Sequence, residues 1–312
     1  MNIHCLTAAP HPDLARALAR FEQQFTYPLG RGRSFRITHG DDYPRFFRAM
    51  GEAACFVAER AGRVIGVIGV ALRRLQSPDG AHRTVAYLGD LKIDPAVRGG
   101  RSLLQLSRAV IDWVGQRADA AFGVVMDGTR ASPDAYTGRL GIPAFRRLGA
   151  VVVLRLAAIE PEGRDWLATP AEGHAAYTRM SSGRYAGLGG YPAERSESAA
   201  LWLVEPGGRA CGRLEDTRLA KRLIADDGSE MRSAHLSCFG FVDPGAGAAL
   251  LHRARQLAAA RGFPALLVAV AEPETDALLR VLDDRDTTVA PATIHGAGLQ
   301  PGPLWNIDTA EI

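Results

Sequence analysis

A chain of 312 residues with 47% hydrophobic and 23% charged residues has the balance of a globular protein with room for two ordinary cores, which excludes a disordered or fibrous chain. The formal charge of +3 is too small to mark a polyanion-binding surface, and the basic residues are arginines except Lys92 and Lys221, a bias that reads as codon usage in a GC-rich genome. Cys5, Cys55, Cys211 and Cys238 show no C-x-x-C pairing, so neither a disulfide framework nor a zinc site is expected.

In chain order, apolar spacing predicts helices over 13–21 and 41–51. Between them Arg31, Arg33 and Arg36 interleave with Phe25, Tyr27 and Phe35. A run this short reads as a loop with a solvated face, and no nucleic-acid partner is expected. Two strands, Ala54 to Glu59 and Val64 to Leu72, turn at Ala61-Gly62, and a third runs from Val85 to Ile93 up to Pro95. The turn Arg98-Gly99-Gly100-Arg101 opens a helix with Leu103, Leu106, Val110 and Trp113 or Val114 on one face. A strand at Ala121 to Met126, a helix or turn at Ser132 to Leu140 and a strand at Ala150 to Leu156 complete this half.

The second half echoes the first. Gly62-Arg63-Val64-Ile65-Gly66 is matched by Gly208-Arg209-Ala210-Cys211-Gly212 at an offset of 146, Ile93-Asp94-Pro95 by Val242-Asp243-Pro244 at 149, and Leu103-Leu104 by Leu250-Leu251 at 147. The buried strand recurs at Ala265 to Val270. The expected organisation is therefore a first unit at 1–160, a linker and shortened start at 161–198 that includes the linker-like Gly187-Leu188-Gly189-Gly190, and a degenerate second unit at 199–312. The second unit lacks the arginines of the first between Pro244 and Leu250.

The stretch from Tyr87 to Ser107 carries the chemistry. A helix beginning at a turn leaves its first N–H groups unpaired at the positive end of its dipole, which suits a pyrophosphate. Gly99 and Gly100 permit close backbone approach, and Arg98 and Arg101 add fixed positive charge. A purely structural turn is the competing reading.

Pro95-Ala96-Val97-Arg98-Gly99-Gly100-Arg101-Ser102-Leu103 resembles the P-x-x-R-G-x-G-x-G signature of the Gcn5-related N-acetyltransferase (GNAT) superfamily, with Arg101 and Leu103 standing at two of its glycines. The resemblance implies an α/β (α+β) protein of two tandem GNAT-like units, each a mixed, mostly antiparallel sheet splayed between its fourth and fifth strands and flanked by helices. It further implies acetyl-CoA, or another acyl-CoA, as co-substrate, with pantetheine on the backbone of Leu91, Lys92 and Ile93 and pyrophosphate on Arg98, Gly99, Gly100, Arg101, Ser102 and Leu103.

Acyl transfer from a thioester needs a neutral amine and a proton for the leaving thiolate. Strand alternation puts Tyr87 and Gly89 on one face and Asp90 on the other. Asp90, a carboxylate in an apolar strand, is a candidate general base or acceptor ligand, or a satisfied structural carboxylate. Tyr87 stands where relatives carry a base, but a phenol is a poor base near neutrality, so it reads as pocket wall. Phe145 in Ala144-Phe145-Arg146-Arg147-Leu148-Gly149 replaces the tyrosine that is the family's general acid, leaving Tyr136, water, an unassisted thiolate or an inactive site. His39 is a further candidate, with a solvated loop histidine as the bland alternative. The eight histidines show no metal spacing, and no metal is expected. No G-x-S-x-G elbow, complete Walker loop or H-E-x-x-H helix is present.

The expected protein is an N-acetyltransferase, or N-acyltransferase, acting on the primary amine of a small molecule or peptide, as monomer or homodimer. A non-catalytic binding protein of the same fold, or an enzyme charged by acyl carrier protein, is the alternative. With no run of about 18 apolar residues and no apolar leader with a cleavage site, a cytoplasmic protein without a membrane partner is expected.

Overall fold

The computed structural model describes the chain except for residues 31–32, 98–100, 130, 163–165, 189 and 285, and the side chains at 29, 30 and 33. Strand β1 (Asn2–Leu6) leads to α1 (Pro12–Glu22), the hairpin β2 (Tyr27–Gly30) and β3 (Arg33–Thr38), and the single-turn α2 (Arg45–Arg48). The long strands β4 (Glu52–Arg60), β5 (Arg63–Gln76) and β6 (His82–Ile93) follow, then α3 (Ser102–Val114), β7 (Ala121–Met126), α4 (Pro133–Tyr136) and β8 (Arg146–Ala157). Next come β9 (Leu167–Ala168), α5 (Pro170–Met180), β10 (Tyr185–Leu188) and α6 (Pro192–Arg195). The remainder holds β11 (Leu201–Val204), β12 (Ala210–Glu215), β13 (Arg222–Ala225), β14 (Ala234–Phe241), α7 (Pro244–Ala260), β15 (Ala265–Ala271), α8 (Glu272–Leu282), β16 (Thr288–Ala297), β17 (Trp305–Asn306) and a 3-10 turn at Thr309–Glu311.

Local signals account for most of these elements. Ala61 and Gly62 both take positive φ, +49° and +74°, the two-residue turn that matches strand twist in a hairpin. Helix α3 buries Leu106 and Val110 against Ala54, Ile65 and Ile68.

Two expectations need correction. The basic segment read as a loop contributes Arg33 and Arg36 to β3, which finds a partner far away in β13, Phe35 opposite Ala225 and Thr38 opposite Arg222, while Arg31 lies outside the described residues. Within 161–198, α5 is closed by a capping box: the Thr169 hydroxyl accepts from the Glu172 N–H at 3.3 Å while the Glu172 carboxylate accepts from the Thr169 N–H at 2.8 Å. Within the linker-like glycine run, Gly187 and Leu188 belong to β10, paired with Leu75 and Arg74 of β5, while Gly189 lies outside the described residues.

The main sheet runs β1-β4-β5-β6-β7-β16-β8-β15-β14-β12-β11-β9, with β10 and β17 attached beside it. The pairings read the same from either end: β6–β7 and β14–β15 are parallel, and every other neighbour on this path is antiparallel. The final strands are exchanged, so β16 fills the place between β7 and β8, and β8 the place between β16 and β15. Each half is completed by a strand of the other. Matching β-bulges mark the symmetry: Asp90 in β6 and Cys238 in β14, 148 positions apart, are both left-handed at φ +57° and +51°.

The core under the first half is built on Phe21, Phe47, Val67, Tyr87, Phe122 and Trp305. Gly69 passes directly beneath Phe47, where an added Cβ would lie 2.0 Å from the ring. Gly69→Ala should therefore lower stability by about 1–3 kcal/mol through overpacking, measured by thermal melting. An unchanged melting temperature would show that Phe47 can move aside.

Candidate active site

Strands β6 and β7 pair at Ala86 with Ala121 and at Tyr87 with Phe122, and then separate. Two local features drive the split. The bulge at Asp90 sets two residues of β6 against one of β5. Gly123 lets the strands cross closely just before they part, since a Cβ there would meet the Leu88 carbonyl oxygen at 2.5 Å. The opening is a cavity of about 490 Å³ that passes between the strands. On the α3 side its wall is apolar, with Leu103, Val110, Ile111, Ala121, Tyr136 and Phe145. On the opposite side Tyr27, Phe35, Ile37 and Phe46 face Lys221, Leu223, Met231 and His235 from the second half.

The expected alternation breaks at Asp90. Because Asp90 is left-handed in the bulge, its carboxylate turns to the same face as Tyr87 and Lys92. There it accepts from Lys92 Nζ at 2.7 and 2.8 Å, from Tyr27 at 3.3 Å and from Tyr43, with His39 Nδ1 at 3.7 Å. His39 is fully buried rather than solvated, its Nδ1 2.6 Å from Glu22 Oε1, and Lys92 Nζ also reaches Glu22 at 3.2 Å. Burial alone would push the Asp90 carboxyl up, but Lys92, then His39, hold it well below the usual carboxylate range. Burial likewise opposes charge on Lys92, and Asp90, Tyr27 and Glu22 override it, keeping the ammonium charged. Glu22, His39 and Asp90 could offer ligands within 4.8 Å of one another, yet Lys92 already supplies the cation among them.

Tyr87 lines the cavity with its ring while its hydroxyl donates to the Glu311 carbonyl at 2.6 Å. Tyr136 stands across the cavity on α4, its phenol pushed up to about 12 by burial and then by Asp134. Leu91 and Leu103 both line the cavity, whereas the Ile93 side chain packs between α3 and the sheet. Arg101 is the exposed N-cap of α3 and makes no side-chain cap, and the buried Ser102 starts the helix. Arg98, Gly99 and Gly100 lie outside the described residues. In the second half the equivalent helix start is closed by the chain itself, since Asp243 accepts from the Ala246 N–H at 2.9 Å and from Arg209 at 3.0 Å.

The second half's split is also filled. Thr309 bridges the parting strands, 2.9 Å from His235 Nδ1 on β14 and donating to the Leu267 carbonyl of β15 at 3.3 Å. The carboxylate of Asp308 accepts from the N–H of the left-handed Cys238 at 2.7 Å. Burial, then Glu311, push the Asp308 carboxyl up to about 6. Thus the first half retains an open cleft and the second holds its own C-terminal segment.

Several site residues escaped the sequence: Glu22, Tyr43, His235 and, above all, Lys221. Their contacts span long separations that periodicity does not report. For Lys221 a signal existed, because it and Lys92 are the two lysines of the chain and both come to the Asp90 side of the cleft.

A bulged strand splaying from a parallel neighbour, followed by a turn and a helix start, on a mostly antiparallel sheet flanked by helices, defines a GNAT-like fold, and this chain has it. Neither a protein-family model nor a curated protein sequence matches the chain. Solved structures do. The N-myristoyltransferase of Saccharomyces cerevisiae with bound myristoyl-CoA aligns with a TM-score of 0.65 over 99% of this chain and 82% of its own, at 8% identity. A GCN5-related N-acetyltransferase from Anabaena variabilis aligns at 0.51 over 95% and 72%, at 13% identity. A fungal GCN5-related glucosamine N-acetyltransferase region aligns at 0.54 over 95% and 38%, at 14% identity. At such identities the likeness is one of fold. Among the described residues no helix is long and apolar enough to cross a membrane.

Proposed function

We propose that this protein is an acyl-CoA-dependent N-acyltransferase acting on a primary amine of a small molecule or peptide. The observation that carries this reading is the open split between β6 and β7, set beside its filled counterpart in the second half. There a left-handed bulge N–H holds a carboxylate oxygen at 2.7 Å. By the same pseudo-symmetry the N–H of Asp90 would face the thioester carbonyl and stabilise the developing oxyanion. In this reading residues 1–160 form the catalytic unit and 199–312 a degenerate copy whose role is to complete the site. Pantetheine would run along Leu91 to Ile93 toward the start of α3.

The acyl group would follow the apolar arm under α3, past Ala86 and Ala121, which has more room than an acetyl group needs. Fatty acyl donors therefore fit it better than acetyl-CoA. That the solved N-myristoyltransferase holds myristoyl-CoA supports the same reading. Asp90, bound by Lys92 and two phenols, would hold the bulge and place negative potential beside the acceptor ammonium. Tyr87 would be wall, and Tyr136 the proton donor to the leaving thiolate.

Isothermal titration with acetyl-, octanoyl- and myristoyl-CoA, followed by thiol release in an amine panel, tests the proposal. Binding of at least one donor with amine-dependent thiol release is expected. Absence of both for every donor would overturn it.

A further inference from the structure

Lysine is replaced by arginine at every basic position of this chain except Lys92 and Lys221, and these two come from different halves to the same buried region. The pair differ in one chemical respect from arginine: an ammonium can give up its proton near neutrality when buried, and a guanidinium cannot. Lys92 is locked as a cation between Asp90 and Glu22. Among the described residues no side-chain carboxylate makes an ion pair with Lys221, which donates to the main-chain oxygen of Ile312 while Asp90 and Glu311 act on it from further off.

Its backbone is held on the loop between β12 and β13, donating to the Thr217 carbonyl at 2.7 Å while the Thr217 hydroxyl donates to the Lys221 carbonyl at 2.9 Å. The side chain passes over the Phe46 ring, with Nζ 4.6 Å from its centre, lines the cleft, and donates to the main-chain oxygen of Ile312. We propose that Lys221, brought to the first half's cleft by the second half, is the base that takes the proton from the acceptor ammonium. This rests on the acyltransferase reading above.

Burial pushes Lys221 down to about 7, with Asp90 and Glu311 drawing it upward and Arg195 and Lys92 pushing it further down. His235, the Lys92-bound Glu22, Tyr27 and Tyr43, and His39 bound to Glu22 are the other titratable groups about this face of the cleft, and the His235 imidazole, held down to about 3 by burial, then Lys221, stays neutral. The neutral amine of Lys221 takes one proton from the acceptor ammonium and becomes an ammonium itself. The freed acceptor nitrogen bonds to the thioester carbonyl carbon, the C–S bond breaks, Tyr136 gives its proton to the thiolate sulfur, and the nitrogen's second proton restores the Tyr136 phenol. The proton on Lys221 then leaves to solvent, so the turnover yields amide, free thiol and one released proton.

The test compares the wild type with Lys221→Arg and Lys221→Met, using whichever acyl-CoA the wild type binds. Arginine keeps a donor to Ile312 but is fixed as a cation and cannot act as a base. Both variants should bind that acyl-CoA as the wild type does, yet lose about 100-fold or more in kcat/KM for an alkylamine. The acidic limb of the wild-type pH profile, centred near 7, should disappear from the residual activity. With an arylamine acceptor, already neutral at assay pH, the wild type should lose that limb as well, and this measurement does not depend on either variant folding. Full activity in Lys221→Arg, or an unchanged acidic limb with the arylamine, would overturn the assignment. Failure of the wild type to bind any acyl-CoA would instead overturn the acyltransferase reading itself.

Discussion

Replacing Arg195 with alanine should destabilise the protein by about 3–5 kcal/mol, because it strands buried carboxylates rather than removing a surface pair. The Arg195 side chain is fully buried. It binds Glu215 in bidentate fashion at 2.7 and 2.9 Å and Glu311 at 3.0 Å, and Glu311 in turn meets Arg73 at 2.6 Å. The cluster joins α6, β12, β5 and the C-terminal 3-10 turn, so it fastens the filled split of the second half to the first. Without Arg195, Glu215 retains only the single Arg213 contact at 3.1 Å among its described charged partners.

The acid dependence supplies a second readout. Burial opposes ionisation of Glu215, yet Arg195, then Arg213, bring it down to about 2 from its ordinary 4.5. A depressed carboxylate stabilises the fold above its unfolded value and loses that stabilisation as pH falls, here between about 4.5 and about 2, where the total is roughly 3 kcal/mol. Urea denaturation of the wild type should therefore weaken steeply over that window, and Arg195→Ala should flatten much of the slope. A loss under 1 kcal/mol at neutral pH with an unchanged acid limb would show that Arg213 and Arg73 suffice.

The larger effect on function should come from the length of the acyl chain. Each methylene buried in the apolar arm is worth about 0.8 kcal/mol, or roughly fourfold in donor affinity, until the arm is full. From two carbons to eight that compounds to more than a thousandfold at the same rate per methylene. Ala121 sits where β6 and β7 part, on the face packed against α3. Ala121→Phe should fill the arm, abolishing the gain with octanoyl-CoA while leaving acetyl-CoA binding near its original level. Titration of the donor series against both proteins measures this. A flat dependence in the wild type would place the acyl group elsewhere, and an equal loss for both donors would mean that Ala121→Phe disturbs the sheet rather than the arm.

Much of the scaffold was legible because its signals are local. The Ala61-Gly62 turn, the continuous apolar runs of β4 and β5, and the periodic leucines of α3 each lie within a few residues of the contacts they report. The capping box Thr169-Pro170-Ala171-Glu172 was equally legible and was obscured by the glycines and prolines around it. The β2–β3 hairpin was not, since β3 is stabilised by a strand nearly two hundred residues away. Nor was the face of Asp90, because one left-handed residue shifts the alternation of everything beyond it.

The sequence alone supported the expectation of an α/β chain with an internal echo and a strand and helix start in immediate succession, because helix caps, turns and strand periods are short-range properties of the chain. Tertiary structure decided the rest: the exchange of β8 and β16, the filling of one split and the opening of the other, and the meeting of Lys92 and Lys221 near Asp90. Those outcomes depend on which distant surfaces bury each other and on the balance of desolvation against opposite charge. Neither is written in any single segment.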